Sequence, residues 1–320
     1  VRQSADNELP RPTGDGIGKI EHNSNLAHFY AHFVRHTIDT SLEGMTIVYD
    51  GANGAASSVG PEILAGLGAK VININVNPDG LNINHHCGST HIEGLQVAVQ
   101  QHNADLGIAN DGDADRCLLV DEKGQVLDGD QIMLLCALKL KEEGKLKDDT
   151  VVGTVMSNIG FHKAAQELGM KTFATAVGDR YVLEYMREHN LSVGGEQSGH
   201  VIFLDHNTTG DGMLTAVQVA ALMKEKNQPL SELAGIMTKY PQVLINVRVA
   251  TKTGWEDNDI IKAAIVTAEG ELGAEGRVLV RASGTEPLIR VMAEGPNQEE
   301  LQALCQEIAD IIGREQGLAD

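Results

Sequence analysis

The sequence is poor in cysteine, in basic residues and in long apolar segments. Its four cysteines form no Cys-x-x-Cys pair, so they indicate neither a zinc ligand set nor a disulfide framework, and they fit a reducing cytoplasm. No apolar run approaches the ~20 residues of a membrane span, and no stretch has the form of a signal peptide. We therefore expect a cytoplasmic protein with no membrane partner.

Basic residues are outnumbered: 25 lysines and arginines face 45 aspartates and glutamates, for a net charge of -20. Non-specific binding to nucleic acid depends on basic patches, so a nucleic-acid partner is not expected. A full Gly-x-Gly-x-x-Gly motif is also missing. The turn Gly51-Ala52-Asn53-Gly54 follows a predicted strand but has no acidic residue placed for a ribose, which argues against a dinucleotide site.

The length of 320 residues favours two or three domains. Residues 1–22 are polar and rich in Pro and Gly, and they are predicted to be a linker to something upstream. Because the sequence begins Val-Arg-Gln-Ser without a methionine, we expect a fragment or a processed product. The linker is followed by apolar strands that alternate with amphipathic stretches.

This alternation predicts an α/β fold with two successive three-layer units. Residues 23–125 form the first α/β unit, with strands at 45–50, 70–75 and 105–109 in a parallel sheet covered by helices on both faces. Residues 126–238 form the second α/β unit. In the C-terminal unit, residues 239–320, strands near 243–249, 277–281 and 288–294 combine with two helices, which predicts a small α+β domain with an antiparallel sheet.

The strongest single motif is an acidic loop at residues 110–116, between two apolar segments. Asp111, Asp113 and Asp115 alternate with small residues, and in an extended loop this spacing turns the three carboxylates to one side. Three such charges are stable together only around a cation, and oxygen ligands select a hard ion such as Mg²⁺. An EF-hand is the rival, but its sixth position requires glycine and is Arg116 here. A solvated acidic turn is the plainer alternative.

A second motif joins two predicted strands of the C-terminal unit. Its hydroxyls, glycine and guanidiniums have the chemistry of a phosphate cradle, and arginine can offer two parallel donors to phosphate oxygens. A plain Ser-Gly turn would explain the serine and the glycine but neither arginine. The predicted phosphate-binding residues are Arg281, Ser283, Gly284, Thr285 and Arg290.

Two further loops carry polar side chains between glycines. In residues 194–200, Glu196, Ser198 and His200 are exposed at a predicted strand edge, as recognition of a polyol requires. Asp179 and Arg180 open a predicted helix, where Asp179 is also the expected N-terminal cap. A lone histidine is usually structural, and the cap remains an alternative for Asp179.

Along the chain, the acidic loop is followed by the loop at residues 194–200 and then by the loop at residues 281–287, and this succession resembles the α-D-phosphohexomutase superfamily. The resemblance covers nearly the whole chain from about residue 10. It implies that the acidic triad binds Mg²⁺, that Arg116 lies close to the transferring phosphate and that His200 is an acid/base. Substrate contacts are implied for Glu196, Ser198, Asp179 and Arg180. The implied reaction converts glucosamine 6-phosphate to glucosamine 1-phosphate through a phosphoserine and a bisphosphate intermediate, and it feeds cell-wall precursors.

One element of the superfamily is missing from the sequence. The nucleophilic serine lies in a Ser-His-Asn-Pro-like loop of the superfamily's first domain, and no such loop occurs in these 320 residues. We therefore expect a fragment that lacks that domain and is inactive alone. Mannose or glucose phosphates as substrates, a non-catalytic sugar-phosphate binding module and a Mg²⁺ hydrolase remain as alternatives, and a homodimer is left open.

Overall fold

The computed structural model describes residues 11–21, 23, 25–283 and 286–317, and this part of the chain forms three sheets. The strands are β1 (Thr46–Asp50), β2 (Lys70–Ile74), β3 (Leu106–Asn110), β4 (Cys117–Asp121), β5 (Val126–Leu127), β6 (Thr150–Thr154), β7 (Lys171–Thr175), β8 (Val193–Gly195), β9 (Val201–Phe203), β10 (Gln242–Arg248), β11 (Arg277–Ala282) and β12 (Leu288–Glu294). The helices are α1 (Asn25–Arg35), α2 (Val59–Gly66), α3 (Glu93–His102), α4 (Gly129–Glu142), α5 (Ile159–Glu167), α6 (Asp179–His189), α7 (Gly212–Lys226), α8 (Leu230–Leu233), α9 (Asp259–Leu272) and α10 (Gln298–Gln316).

The first sheet has the strand order β2-β1-β3-β4-β5. Strands β1, β2 and β3 are parallel as predicted, whereas β4 and β5 are antiparallel. The predicted parallel strands are therefore confirmed, and the prediction missed the antiparallel edge. Its physical reason is the short connection between β3 and β4, residues 111–116, because a parallel return would need a crossover of a dozen residues or more.

The second sheet repeats this arrangement, with the order β7-β6-β8-β9 and an antiparallel β9 at its edge. In the C-terminal unit, β12 lies between β10 and β11 and is antiparallel to both. The α/β class and the antiparallel α+β unit are thus confirmed. The domain boundaries stay a prediction.

The apolar core does not follow the predicted boundary between the two α/β units. Helix α7 packs against α4 and also against β3 and β4 of the first sheet. One connected cluster of buried side chains runs from Ala31 to Met237, while the C-terminal unit has a core of its own between Val243 and Ile312. The first two units therefore share a hydrophobic interior.

Two sequence expectations can be compared with the described residues. Within them, no helix is both long and apolar enough to cross a membrane. All four cysteines are buried and free of disulfides. Burial raises the pKa of the Cys136 thiol to about 12 and that of the Cys305 thiol to about 11, which keeps both thiols protonated and unreactive at neutral pH.

Candidate functional site

The acidic loop starts where β3 ends, at Asn110. Asn110 accepts a hydrogen bond from the Tyr49 hydroxyl (3.0 Å) and donates one to the carbonyl of Arg116 (2.7 Å). Its side chain therefore holds both ends of the loop, a role that the sequence did not reveal. The loop is not extended as expected: the Ala114 amide donates to the Asp111 carbonyl (3.1 Å), and Ala114 has a positive φ of 62°.

This turn brings the three carboxylates together. One oxygen each from Asp111, Asp113 and Asp115 lie within 4.8 Å of one another. Burial is the main cause that raises the pKa of the Asp111 carboxyl, and the negative charge of Asp115 adds to it. Such a cluster is unfavourable by itself and favourable around a cation.

Arg116 leaves this charge only partly balanced. Its Nε lies 3.6 Å from Asp111 Oδ2 and 3.8 Å from Asp115 Oδ1, which is beyond hydrogen-bond distance. Within the described part of the chain, Arg116 Nε and Asp115 Oδ1 are buried without a hydrogen-bond partner. Since buried polar atoms are almost always satisfied, these two atoms point to a ligand at the loop. The all-oxygen donor set fits Mg²⁺.

The turn at residues 51–54 supports the acidic loop. The Ala55 amide donates to the Gly112 carbonyl (2.8 Å). A Cβ at Gly54 would overlap the backbone of Gly112, so only glycine allows this approach. The turn therefore has a structural role, which is to support the acidic loop.

The loop at residues 194–200 lies against the acidic loop. The Cys117 amide donates to the Gly199 carbonyl (3.0 Å), and Arg116 forms a β-bridge with His200. Arg116, Glu196 and Ser198 line one cavity of about 340 Å³. The structure thus brings Arg116, predicted to lie near the transferring phosphate, into one cavity with two of the residues predicted to bind the sugar, whereas Asp179 and Arg180 do not line it.

Asp179 and Arg180 lie at the start of α6, next to this loop. Glu196 accepts a hydrogen bond from the Gly178 amide (2.9 Å), which fixes the start of the helix. Gly178 occupies the N-cap position and makes no side-chain cap bond, so the interpretation of Asp179 as the cap was wrong. Arg180 pairs with Glu184 on the exposed face of α6 (2.7 Å). Their substrate contacts stay predictions.

His200 is buried below the loop, so the prediction that its side chain is exposed was wrong. Its Nε2 accepts a hydrogen bond from the Gly210 amide (3.2 Å) and lies 3.6 Å from Asp115 Oδ2 and 3.9 Å from Asp179 Oδ2. The ring therefore connects the acidic triad to the start of α6. Its role as an acid/base stays a prediction.

Gly210 is expected to be indispensable for this packing. A Cβ at Gly210 would lie closer to the His200 ring than van der Waals contact allows, so we expect Gly210→Ala to lower the free energy of unfolding by about 1–3 kcal/mol. Urea unfolding monitored by circular dichroism would measure this. Gly270→Ala is the matched control, because a Cβ there meets no atom within 4 Å and helix α9 should gain up to ~1 kcal/mol. Equal stabilities for the two variants would contradict the packing argument.

The predicted phosphate loop connects β11 to β12. Arg281 and Arg290 are direct cross-strand partners in the sheet, an arrangement of like charges that is unfavourable without an anion. Burial, and then the charge of Arg290, lower the pKa of Arg281. Ser283 is buried, and its hydroxyl accepts from the Glu286 amide (3.4 Å). Gly284 and Thr285 lie outside the described residues.

Lys252 is a part of this loop region that sequence reasoning missed. It follows β10, and its ammonium donates to the Ser283 carbonyl (2.7 Å). A lysine between two threonines and before Gly254 was the available signal, but the contact spans 31 residues of sequence. The cavity lined by Arg116, Glu196 and Ser198 includes no described residue of the phosphate loop.

Comparison with family models gives three consecutive matches. Residues 27–124 match the phosphoglucomutase/phosphomannomutase α/β/α domain II, residues 128–240 match domain III, and residues 244–311 match the C-terminal domain. These matches together cover most of the chain, and their order is the order of the three sheets.

Individual proteins agree with the family models. The chain is 52% identical over 316 residues to a phosphoglucosamine mutase of Geobacillus kaustophilus, covering 98% of this chain and 70% of that protein. It is 50% identical over 313 residues to the phosphoglucosamine mutase of Bacillus subtilis, with the same two coverages of 98% and 70%.

Solved structures share the fold. A phosphoglucomutase/phosphomannomutase family protein from Burkholderia thailandensis superposes with a TM-score of 0.75 at 21% identity, over 92% of this chain and 66% of that one. An Aspergillus fumigatus N-acetylphosphoglucosamine mutase in complex with GlcNAc-6P and magnesium gives a TM-score of 0.72 at 23% identity, over 89% of this chain and 64% of that one.

Proposed function

Because the chain belongs to the phosphoglucomutase/phosphomannomutase family, we propose that it is the metal-, sugar- and phosphate-binding part of a phosphoglucosamine mutase. The reaction would interconvert glucosamine 6-phosphate and glucosamine 1-phosphate. The observation that supports this best is the cavity in which Arg116, beside the acidic triad, meets Glu196 and Ser198. We place the protein in the cytoplasm.

Asp111, Asp113 and Asp115 would hold a Mg²⁺ ion, since their carboxylate oxygens converge and the buried Asp115 Oδ1 lacks a hydrogen-bond partner. When bound, the ion would screen the negative charge that moves between serine and sugar oxygens. Arg116 would bind the phosphoryl group in transit. Asn110 and Tyr49 orient the loop that carries all four of these side chains.

The group transfer would occur in two steps. A phosphoserine loses its phosphoryl group as the serine O–P bond breaks and a new O–P bond forms to a sugar hydroxyl, whose proton passes through a base to the serine oxygen. The resulting bisphosphate then transfers the phosphoryl from its other end to the serine hydroxyl, as that sugar O–P bond breaks and the serine proton passes to the sugar oxygen. Glu196 and Ser198 would bind sugar hydroxyls, and Arg281, Ser283, Gly284, Thr285 and Arg290 would hold the phosphate that is not transferred.

The serine is not recognisable in these 320 residues, so we infer that a serine-bearing segment outside the printed sequence completes the enzyme. The chain spans 70% of the length of the curated relatives described above, which leaves room for such a segment. By itself the chain would then act as a sugar-phosphate binding module, and this is the second candidate function.

Titration calorimetry with the chain tests both candidates. We expect glucosamine 6-phosphate to bind at least about tenfold more tightly than mannose 6-phosphate or glucose 6-phosphate in the presence of Mg²⁺, a difference that one well-placed polar contact supplies. We expect no turnover, even with a hexose bisphosphate activator. Preference for mannose or glucose phosphate would overturn the glucosamine assignment, robust turnover would refute the need for an external serine, and phosphate release would indicate a hydrolase.

A further inference from the structure

Hydrogen bonds around an ion pair of the C-terminal unit, Arg277–Glu294, link that unit to the second α/β unit. Glu294, the last residue of β12, is completely buried, and its Oε2 accepts hydrogen bonds from Arg277 Nε (2.7 Å) and from the Ile159 amide (3.0 Å). Its Oε1 accepts from the Asn158 side chain (3.3 Å). Arg277 Nη2 donates to the Ser157 carbonyl (2.5 Å). We call these five residues the joint.

The joint is connected by two short routes to the loop at residues 194–200, which we call the sugar loop. Met156, which precedes the joint, lines the same cavity as Glu196 and Ser198. In the other direction, the Asn158 amide donates to Asp130 Oδ2 (2.7 Å), and the adjacent Gly129 amide donates to the Gln197 carbonyl (2.9 Å). The first turn of α4 therefore lies between the joint and the sugar loop.

The joint is also one end of a strand pair whose other end carries the phosphate loop. Arg277 lies opposite Glu294, and four residues further along β11 Arg281 lies opposite Arg290. At about 3.4 Å per residue, the two pairs are ~14 Å apart. Since paired strands are stiff and this sheet packs on α9 and α10, a rotation at the joint would displace both arginines.

From this geometry we propose that Glu294 is a positioning residue. With Arg277 it holds the β11–β12 strand pair against residues 157–159, next to the cavity lined by Glu196 and Ser198. It thereby sets where the Arg281–Arg290 pair meets the substrate phosphate. The proposal rests on the proposed phosphate-binding role of that pair. A contiguous chain of hydrogen bonds supports the proposal. Removing Glu294 would leave the charge of Arg277 uncompensated and the Ile159 amide without its acceptor.

The test combines a distance and an affinity. Spin labels on Glu188→Cys in α6 and Glu307→Cys in α10, two exposed helix positions, report the orientation of the two units by double electron–electron resonance. The four native cysteines are buried, so the chain without added cysteines should take up no label. We expect one narrow distance peak for the labelled parent and a broadened distribution in Glu294→Ala.

Binding should change in parallel. If the C-terminal unit of Glu294→Ala is in its binding-competent orientation in only about a tenth of the molecules, the Kd for glucosamine 6-phosphate rises about tenfold. The Kd for Mg²⁺ at the acidic triad should stay unchanged. Glu275→Ala is the matched control: Glu275 also bridges the two units, through Lys163 (3.0 Å), but it is largely exposed. We expect neither the distance nor the affinity to change in that variant.

Each outcome decides the proposal. An unchanged distance distribution in Glu294→Ala overturns the joint, and a broadened distribution with an unchanged sugar-phosphate affinity overturns the positioning role. If Glu294→Ala does not fold, Glu294→Gln, which keeps the shape and removes the charge, should show the same changes to a smaller extent. If the parent chain binds no sugar phosphate, the proposed function fails, and the distance measurement still decides the joint.

Discussion

Replacing Asp113 with asparagine is expected to weaken Mg²⁺ binding by at least about a hundredfold. Loss of an outer partner of a metal ligand already costs 10- to 100-fold in affinity, and Asp113 is one of only three carboxylates in the acidic cluster of the described chain. The substitution is clean because the loop's own hydrogen bonds run through Asp111, which accepts from the Arg116 amide (3.3 Å). Calorimetric titration with Mg²⁺ measures the effect.

The control for this experiment is Asp257→Asn, which removes the same charge from an exposed position outside the acidic loop. It should leave the Mg²⁺ affinity unchanged within about twofold, since exposed charges are strongly screened. If Asp113→Asn binds Mg²⁺ as tightly as the parent, this would show that the acidic triad is not the metal site. So would a parent chain without measurable Mg²⁺ affinity.

Asp130→Asn is expected to stabilise the chain above pH 7. Asp130 is completely buried, and burial, followed by the charge of Asp128, raises its pKa from 3.8 to about 7. The pKa of this carboxyl is higher in the folded state than in the unfolded state, so its protonated form favours folding at low pH. This contribution to the free energy of unfolding is lost as the pH rises from about 4 to about 7. At pH 8 the parent therefore carries a buried charge that asparagine avoids, on the order of 2–4 kcal/mol.

Urea unfolding of the parent and the variant at pH 5 and pH 8 tests this. The stability difference should be small at pH 5 and should favour Asp130→Asn at pH 8. Asparagine Oδ1 can still accept the hydrogen bond that the Asn158 amide donates to Asp130. As a control, Asp121→Asn should lower the stability by at most about 1 kcal/mol, because asparagine Oδ1 can still accept from the amides of Lys123 and Gln125 and only the stronger bond to a charged acceptor is lost. A stability difference for Asp130→Asn that does not depend on pH would contradict the raised pKa.

Local patterns predicted the elements well because each element carries its own signal. The strand predicted at 288–294 is β12 (Leu288–Glu294), and the strand predicted at 105–109 is β3 (Leu106–Asn110). The antiparallel edge of the first sheet was missed, although the short connection between β3 and β4 was visible in the sequence. Hydrophobic periodicity gives the element type and not its direction in a sheet.

The site was predictable where motifs are contiguous. The acidic triad lies within five residues, and its gathering follows from local turns. Glu294 and its partner Asn158 are 136 residues apart, and neither lies in a recognisable motif. Such pairs form because folding buries both groups together, so no local sequence pattern predicts them.

The shared core described above also bears on how this protein can be rearranged in evolution. A genetic crossover near residue 125 would separate α7 from β3 and β4, and would divide an apolar cluster that runs from Ala31 to Met237. A crossover near residue 241 would cut between two independent cores. A new C-terminal unit acquired there would meet the rest mainly through Arg277 and Glu294 and through the exposed Glu275. We therefore expect this unit to be exchanged more readily than either of the first two units.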